Sequence, residues 1–159
     1  MMKNLFQILC GLFLVVSYSS CMHSEEDKVD VLIIGGGASG VTSGIQSARM
    51  GANTLILEES TWLGGMLTSA GVSAVDGNYR LPAGLWGEFK NRLSDYYGGL
   101  DSLKTGWVSN VLFEPSVGNK ILHEMVAAEN NLKVWKQACL EEVKRTGDEW
   151  VAKVKVEGQ

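Results

Sequence analysis

Cysteine, histidine and positive charge are all scarce in this chain of 159 residues. Of three cysteines, at 10, 21 and 139, the first two lie in or at the end of an apolar leader. The body of the chain keeps Cys139 alone. That excludes an internal disulfide, a CxxC redox pair and a four-cysteine iron–sulfur site. Cys139 reads as a small apolar filler in a strand. The formal net charge is -4, and no segment carries a basic stripe, so nothing supports nucleic-acid binding. No paired carboxylates and no Tyr/His constellation are present to drive a polysaccharide lyase reaction. No metal-ligand set is expected. The apolar run at residues 5–16 falls short of the about 20 apolar residues of a membrane span.

The leader is excluded from the fold. Residues 1–20 read as a signal peptide, with Lys3 in a short n-region, an apolar h-region and small residues before a cysteine. Ser19-Ser20-Cys21 resembles a bacterial lipoprotein cleavage box, which would make Cys21 an acylated N-terminus. Ser24-Glu25-Glu26-Asp27 is similar to the acidic tag of exported lipoproteins of the Bacteroidetes type. This resemblance implies an exported protein anchored by lipid to a membrane, facing the periplasm or the cell surface. Residues 21–28 then form an acidic tether.

Glycine, by contrast, is plentiful at 19 residues, and seven of them stand at 35–37, 40, 44, 64 and 65. Residues 29–34 form a short β-branched apolar run stopped by glycine, which predicts a strand buried on both faces. Gly35-Gly36-Gly37-Ala38-Ser39-Gly40 follows, with Gly35, Gly37 and Gly40 at the positions of a GxGxxG fingerprint. Gly35 suits the turn out of the strand. Gly37 lets backbone approach a pyrophosphate, and Gly40 lets the helix pack closely. A helix over about 38–50 would aim its N-terminal amides and positive dipole end at the phosphates. Gly44 is small where that helix meets the strands, and Gly51 ends it. A second strand over 53–57 delivers Glu58, 23 residues after Gly35, near the spacing of a ribose-binding acid. A carboxylate there accepts from ribose hydroxyls and repels a 2′-phosphate. Glu59, one residue on, reads as a solvated charge.

A dinucleotide fingerprint does not choose between FAD and NAD. The next segment, Trp62-Leu63-Gly64-Gly65-Met66-Leu67-Thr68-Ser69, brings a second glycine pair that a simple NAD domain does not need. Here the chain resembles the FAD-dependent oxidoreductase family that reads GGGxAG…E…LGGMxTS, related to the heterodisulfide reductase flavin subunit. The likeness extends to Leu81-Pro82-Ala83-Gly84-Leu85-Trp86 and to Phe113-Glu114-Pro115-Ser116. Ser39 stands where the family has alanine. The resemblance implies a Rossmann-like α/β domain over 29–159, with a partial parallel sheet, a hairpin-like end and FAD as cofactor. It implies that Gly35, Gly37, Ala38, Ser39 and Gly40 meet the pyrophosphate and Glu58 the adenosine ribose. Gly64, Gly65 and Met66 would meet the phosphate and ribityl side, and the backbone of Leu140 the adenine. Met66 stands where disulfide reductases of this broad fold carry a redox cysteine, so dithiol chemistry by that route is not expected.

The remaining segments are less distinctive. Residues 72–112 read as a lid or insertion containing an amphipathic helix over 85–97. Pro115 opens a second such helix, with Val117, Ile121, Leu122, Met125 and Val126 on one face and His123 off it. The five tryptophans read as core or interface residues. An apolar stretch over 132–140 and an alternating strand over 150–156 follow. Family members continue into a further strand, a substrate domain and a C-terminal segment over the flavin. The chain therefore reads as the N-terminal part of a longer flavoenzyme that transfers hydride between a small substrate and flavin. A non-catalytic nucleotide-binding fragment and an NAD-linked dehydrogenase are the alternatives.

Overall fold

The computed structural model describes residues 26–107 and 109–157. The leader and the acylation site expected at Cys21 lie outside the described residues. Strand β1 (Val31–Ile34), helix α1 (Ala38–Arg49) and strand β2 (Thr54–Glu58) form the start of an α/β sheet, with β1 and β2 parallel. Helix α2 (Gly84–Tyr97), helix α3 (Pro115–Ala127) and strand β3 (Leu132–Lys136) follow, and strands β4 (Ala138–Thr146) and β5 (Glu149–Val156) end the chain. The sheet is parallel with order β1-β2-β3, and Ile33 pairs with Ile56, which pairs with Val134. Strands β4 and β5 form a separate antiparallel hairpin.

The period of two along β2 divides the molecule into layers. Ile56 points into the main core with Val41 and Ile45 of α1, Phe89 and Leu93 of α2, and Ile121, Leu122 and Met125 of α3. Leu55 and Leu57 point the other way, onto Ala138, Leu140, Val154 and Val156 of the hairpin. The sheet is thus covered by helices on one face and by the root of the hairpin on the other. Gly44 permits the helix layer to sit this close, because a Cβ there would stand 2.6 Å from Ile56 Cδ1. Arg49 ties α1 to α2 and to the segment just after α3, with its Nε 2.7 Å from Glu129 Oε1 and its Nη1 3.0 Å from Glu88 Oε2.

Three expectations from the sequence are corrected. Strand β1 is not buried on both faces: it is an edge strand, its residues are half-buried, and Ile34 is 53% exposed. The central β2 takes the doubly buried place instead. The apolar stretch 132–140 is not continuous. Gln137, with φ +53°, breaks it and turns the chain from the parallel sheet into the hairpin. Cys139 is exposed and Ala138 fills the core position beside it. The Cys139 thiol donates to Glu59 Oε1 at 3.4 Å, and this bond holds its pKa above the ordinary value.

Residues 72–112 carry Phe89, Leu93, Leu103 and Val111 into the main core. Lys90 is buried within this segment, and its ammonium donates to the carbonyls of Tyr79 (2.8 Å) and Leu81 (3.0 Å), tying the preceding loop to α2. At the start of the described chain, Asp27 pairs with Lys133 on β3 at 2.9 Å. Among the described residues no helix is long and apolar enough to cross a membrane.

Candidate dinucleotide site

The site lies at the C-terminal ends of β1 and β2, where open α/β sheets place their ligands. Gly35 leaves β1 with φ +95°, a conformation that favours glycine, and its N–H donates to Leu57 O at 2.8 Å. Gly40 is required by contact, since a Cβ would come within 1.9 Å of Gly35 O. Gly37 differs from both. It is the N-cap of α1 with φ −64° and ψ 178°, which any residue can adopt, and an added Cβ would meet nothing within 4 Å. No packing inside the chain calls for glycine there. The bare backbone faces open space at the mouth of a helix that has no side-chain cap and no acidic residue in its first turn. The first-turn amides of α1, from Ala38 to Gly40, lack intrahelical partners, as in any helix.

Glu58 closes one side. Its Oε2 accepts from Gly36 N–H at 2.7 Å and its Oε1 from Ser60 N–H at 2.8 Å. A carboxylate offers about four acceptor positions, so two remain for a ligand after both backbone bonds are made. The clamp fixes the carboxylate's direction relative to the glycine turn.

The second glycine loop closes the other side. Gly64 N–H donates to Gly36 O at 2.8 Å, and Gly37 and Gly64 form an isolated parallel bridge. Gly64 has φ +105° and opens a 3₁₀ turn at Gly65–Leu67. The N–H groups of Gly65 and Met66 have no partner among the described residues. The Met66 side chain is 69% exposed. A cavity of about 300 Å³ lined by Trp62, Thr68, Ser69, Gly71 and Pro115 opens beside this loop.

The structure therefore brings together Gly35, Gly37, Ala38, Ser39, Gly40, Glu58, Gly64, Gly65 and Met66. Leu140 stands apart, half-buried under the other face of the sheet at the root of the hairpin. Two participants had no assigned task in the sequence. Gly36 links both halves of the site, and a Cβ on it would stand 2.7 Å from Leu63 Cδ2 and 3.0 Å from Glu58 Oε2. The middle glycine of the run, beyond the two the fingerprint needs there, was its signal. Asn119 of α3 accepts from Leu63 N–H at 2.9 Å, and no local pattern marks it. Trp86 and Trp135 pack against the two cores, while Trp107 and Trp150 are exposed. His123 is half-buried, and burial followed by the charge of Lys136 lowers its pKa.

A family model described as FAD dependent oxidoreductase matches residues 30–159. The chain belongs to the FAD dependent oxidoreductase family. Its cofactor is FAD, and the residues present fit one: an uncapped helix N-terminus, an open bare backbone at Gly37 and an oriented carboxylate at Glu58. Among solved structures, the chain is similar to AlpK, with TM-score 0.56 and 15% identity over 84% of this chain and 29% of that one. It is similar to CabE, an aromatic hydroxylase from angucycline biosynthesis, with TM-score 0.56 and 14% identity over 82% and 28% of the two chains. A geranylgeranyl bacteriochlorophyll reductase-like protein (Ta0516) from Thermoplasma acidophilum gives TM-score 0.53 and 18% identity over 82% and 36%. These likenesses establish the Rossmann-type fold. The chain spans about a third or less of the length of most of them, from 28% to 36%. No curated protein matches the sequence.

Proposed function

We propose that this chain holds the adenosine diphosphate half of FAD within a longer oxidoreductase that transfers hydride between a small molecule and the flavin. Gly37 carries the reading. Its φ of −64° and the open space ahead do not require glycine, and an N-cap accepts several residue types, so its bare backbone leaves room for a ligand to lie against it. In this reading Gly35, Gly37, Ala38, Ser39 and Gly40 present backbone to the pyrophosphate at the positive end of α1. Glu58 accepts from the adenosine ribose hydroxyls with the positions left free by Gly36 and Ser60. The amides of Gly65 and Met66, presented by the turn at Gly64, serve the phosphate and ribityl side. FAD, when bound, supplies the hydride chemistry, and the protein supplies position and electrostatics. The substrate side belongs to the rest of the longer protein, which is the main partner of this domain. The lipobox-like Ser19-Ser20-Cys21 supports export and attachment to a membrane by an acyl chain on Cys21.

Titration of the intact protein with FAD, FMN, NAD and NADP tests this. FAD is expected to bind and to be displaced by ADP. FMN, which lacks the adenosine monophosphate moiety of FAD, is expected to bind far more weakly. NADP is expected to bind more weakly than NAD, because Glu58 repels a 2′-phosphate. Equal affinity for FMN and FAD would overturn the assignment of this site to the adenosine half. Tight NAD binding with no FAD binding would revive an NAD-linked dehydrogenase.

A further inference from the structure

We propose that Asn119 of helix α3 is a positioning residue for the second glycine loop, acting through Leu63 to hold the amides of Gly65 and Met66 toward the dinucleotide. The proposal rests on the reading of that loop as a cofactor-binding surface. Leu63 is fully buried, and side chains hold both of its backbone polar groups. Its N–H donates to Asn119 Oδ1 at 2.9 Å, and its carbonyl accepts from the Thr68 hydroxyl. The amide orientation of Asn119 is settled by chemistry, since an N–H donor must face an oxygen. The next residue, Gly64, then reaches across to Gly36 O, and Gly36 N–H reaches Glu58. One run of hydrogen bonds thus passes from Asn119 through Leu63, Gly64 and Gly36 to the ribose-side carboxylate.

The packing of α3 supports the same role. Gly118, Asn119 and Leu122 lie on the face of α3 turned to the loop. A Cβ on Gly118 would meet Phe113 Cε2 at 2.6 Å and Thr68 Cγ2 at 3.3 Å. A Cβ on Gly64 would meet Leu122 Cδ1 at 2.6 Å and Thr68 Cγ2 at 2.7 Å. The loop is pressed against the helix and cannot relax sideways without losing these contacts. Asn119 is the polar member of that face, and it spends its oxygen on the loop rather than on its own helix. Leu63 N–H would otherwise be a buried donor without a partner, which costs about 1–3 kcal/mol.

Two variants test this in the intact protein. Asn119→Leu keeps the branched shape and the number of side-chain heavy atoms and removes the acceptor. Asn119→Asp keeps an acceptor at the same place. The readouts are backbone hydrogen exchange at residues 63 and 64 without cofactor, and the FAD dissociation constant from flavin fluorescence. Asn119→Leu is expected to speed exchange at 63 and 64 and to weaken FAD by about fivefold to tenfold, with exchange over 115–127 unchanged. Asn119→Asp is expected to restore the slow exchange at 63 and 64. If Asn119→Leu fails to fold, Thr68→Val removes the bond to the Leu63 carbonyl and is expected to give the same local exchange and affinity changes. Wild-type exchange at 63 and 64 in Asn119→Leu would overturn the proposal. So would faster exchange there with unchanged FAD affinity, or a loss of protection across α3 that Asn119→Asp shares. Should the wild-type protein bind no FAD while the exchange contrast persists, the FAD reading falls and the positioning role of Asn119 stands.

Discussion

Substituting Gly37 and Gly40 by alanine separates a glycine kept for a ligand from one kept for the fold. At Gly40 the new Cβ would stand 1.9 Å from Gly35 O and 3.0 Å from Gly35 C. Both are backbone atoms, so the strand exit or the start of α1 must shift. Overpacking of this kind costs about 1–3 kcal/mol. For a domain of this size that lowers Tm by roughly 3–12 °C, and FAD binding falls with the distorted turn. At Gly37 the Cβ meets nothing within 4 Å and the backbone angles are ordinary. The change there is a weaker N-cap, worth about 0.5–1 kcal/mol, or a few degrees of Tm. The affinity for FAD is expected to fall more than tenfold, a loss above about 1.4 kcal/mol, because the methyl group occupies the space proposed for the pyrophosphate. The assay is a thermal melt of the cofactor-free protein beside a fluorescence titration with FAD. If Gly37→Ala binds FAD as the wild type does, the argument from its open space is wrong. If Gly40→Ala melts with Gly37→Ala, the close approach to Gly35 does not govern the turn.

Three further outcomes are expected. The Glu88 carboxyl is held below the usual carboxylate range, first by its hydrogen bond to Arg49. A depressed folded-state pKa contributes stability that is present above the unfolded pKa and lost as pH falls through the folded one. Denaturant melts should therefore weaken on acidification through the carboxylate range, and Glu88→Gln should flatten that slope; equal slopes would refute the coupling. Lys90→Met removes the donor to the Tyr79 and Leu81 carbonyls, which is expected to cost about 1–3 kcal/mol and to expose the loop at 76–83 to proteolysis. An unchanged cleavage pattern would count against the tie. Metabolic labelling with palmitate should tag the protein expressed in a bacterial host and should be lost in Cys21→Ala; label that persists in the variant would remove the lipoprotein reading.

Local order was legible because local rules govern it. The apolar run, the glycine at the end of β1, the amphipathic α1, the stop at Gly51 and the strand ending in Glu58 lie within thirty residues, where period and turn chemistry decide conformation. Proline at the start of α3 and glycine after α2 act the same way, and Gly98 does take the left-handed cap conformation, with φ +76°. The likeness of the second glycine pair to a known motif pointed to FAD before any contact was known. What the sequence could not carry were relations between distant segments. That β1 forms an edge depends on which strand pairs beyond it, and its residues carry the same apolar pattern in either place. The turn at Gln137 is a single left-handed residue without glycine's signature, so the stretch 132–140 looked continuous. Cys139 alternates to the exposed side only once Ala138 has taken the core position, a matter of register. Gly36, bonded to a carboxylate 22 residues away, and Asn119, bonded to an amide 56 residues away, acquire their tasks only when the chain folds back. The sequence by itself determined a nucleotide-binding turn and the cofactor's chemical class. The tertiary structure decided how that turn is held, because hydrogen bonds between remote segments leave no periodic trace along the chain.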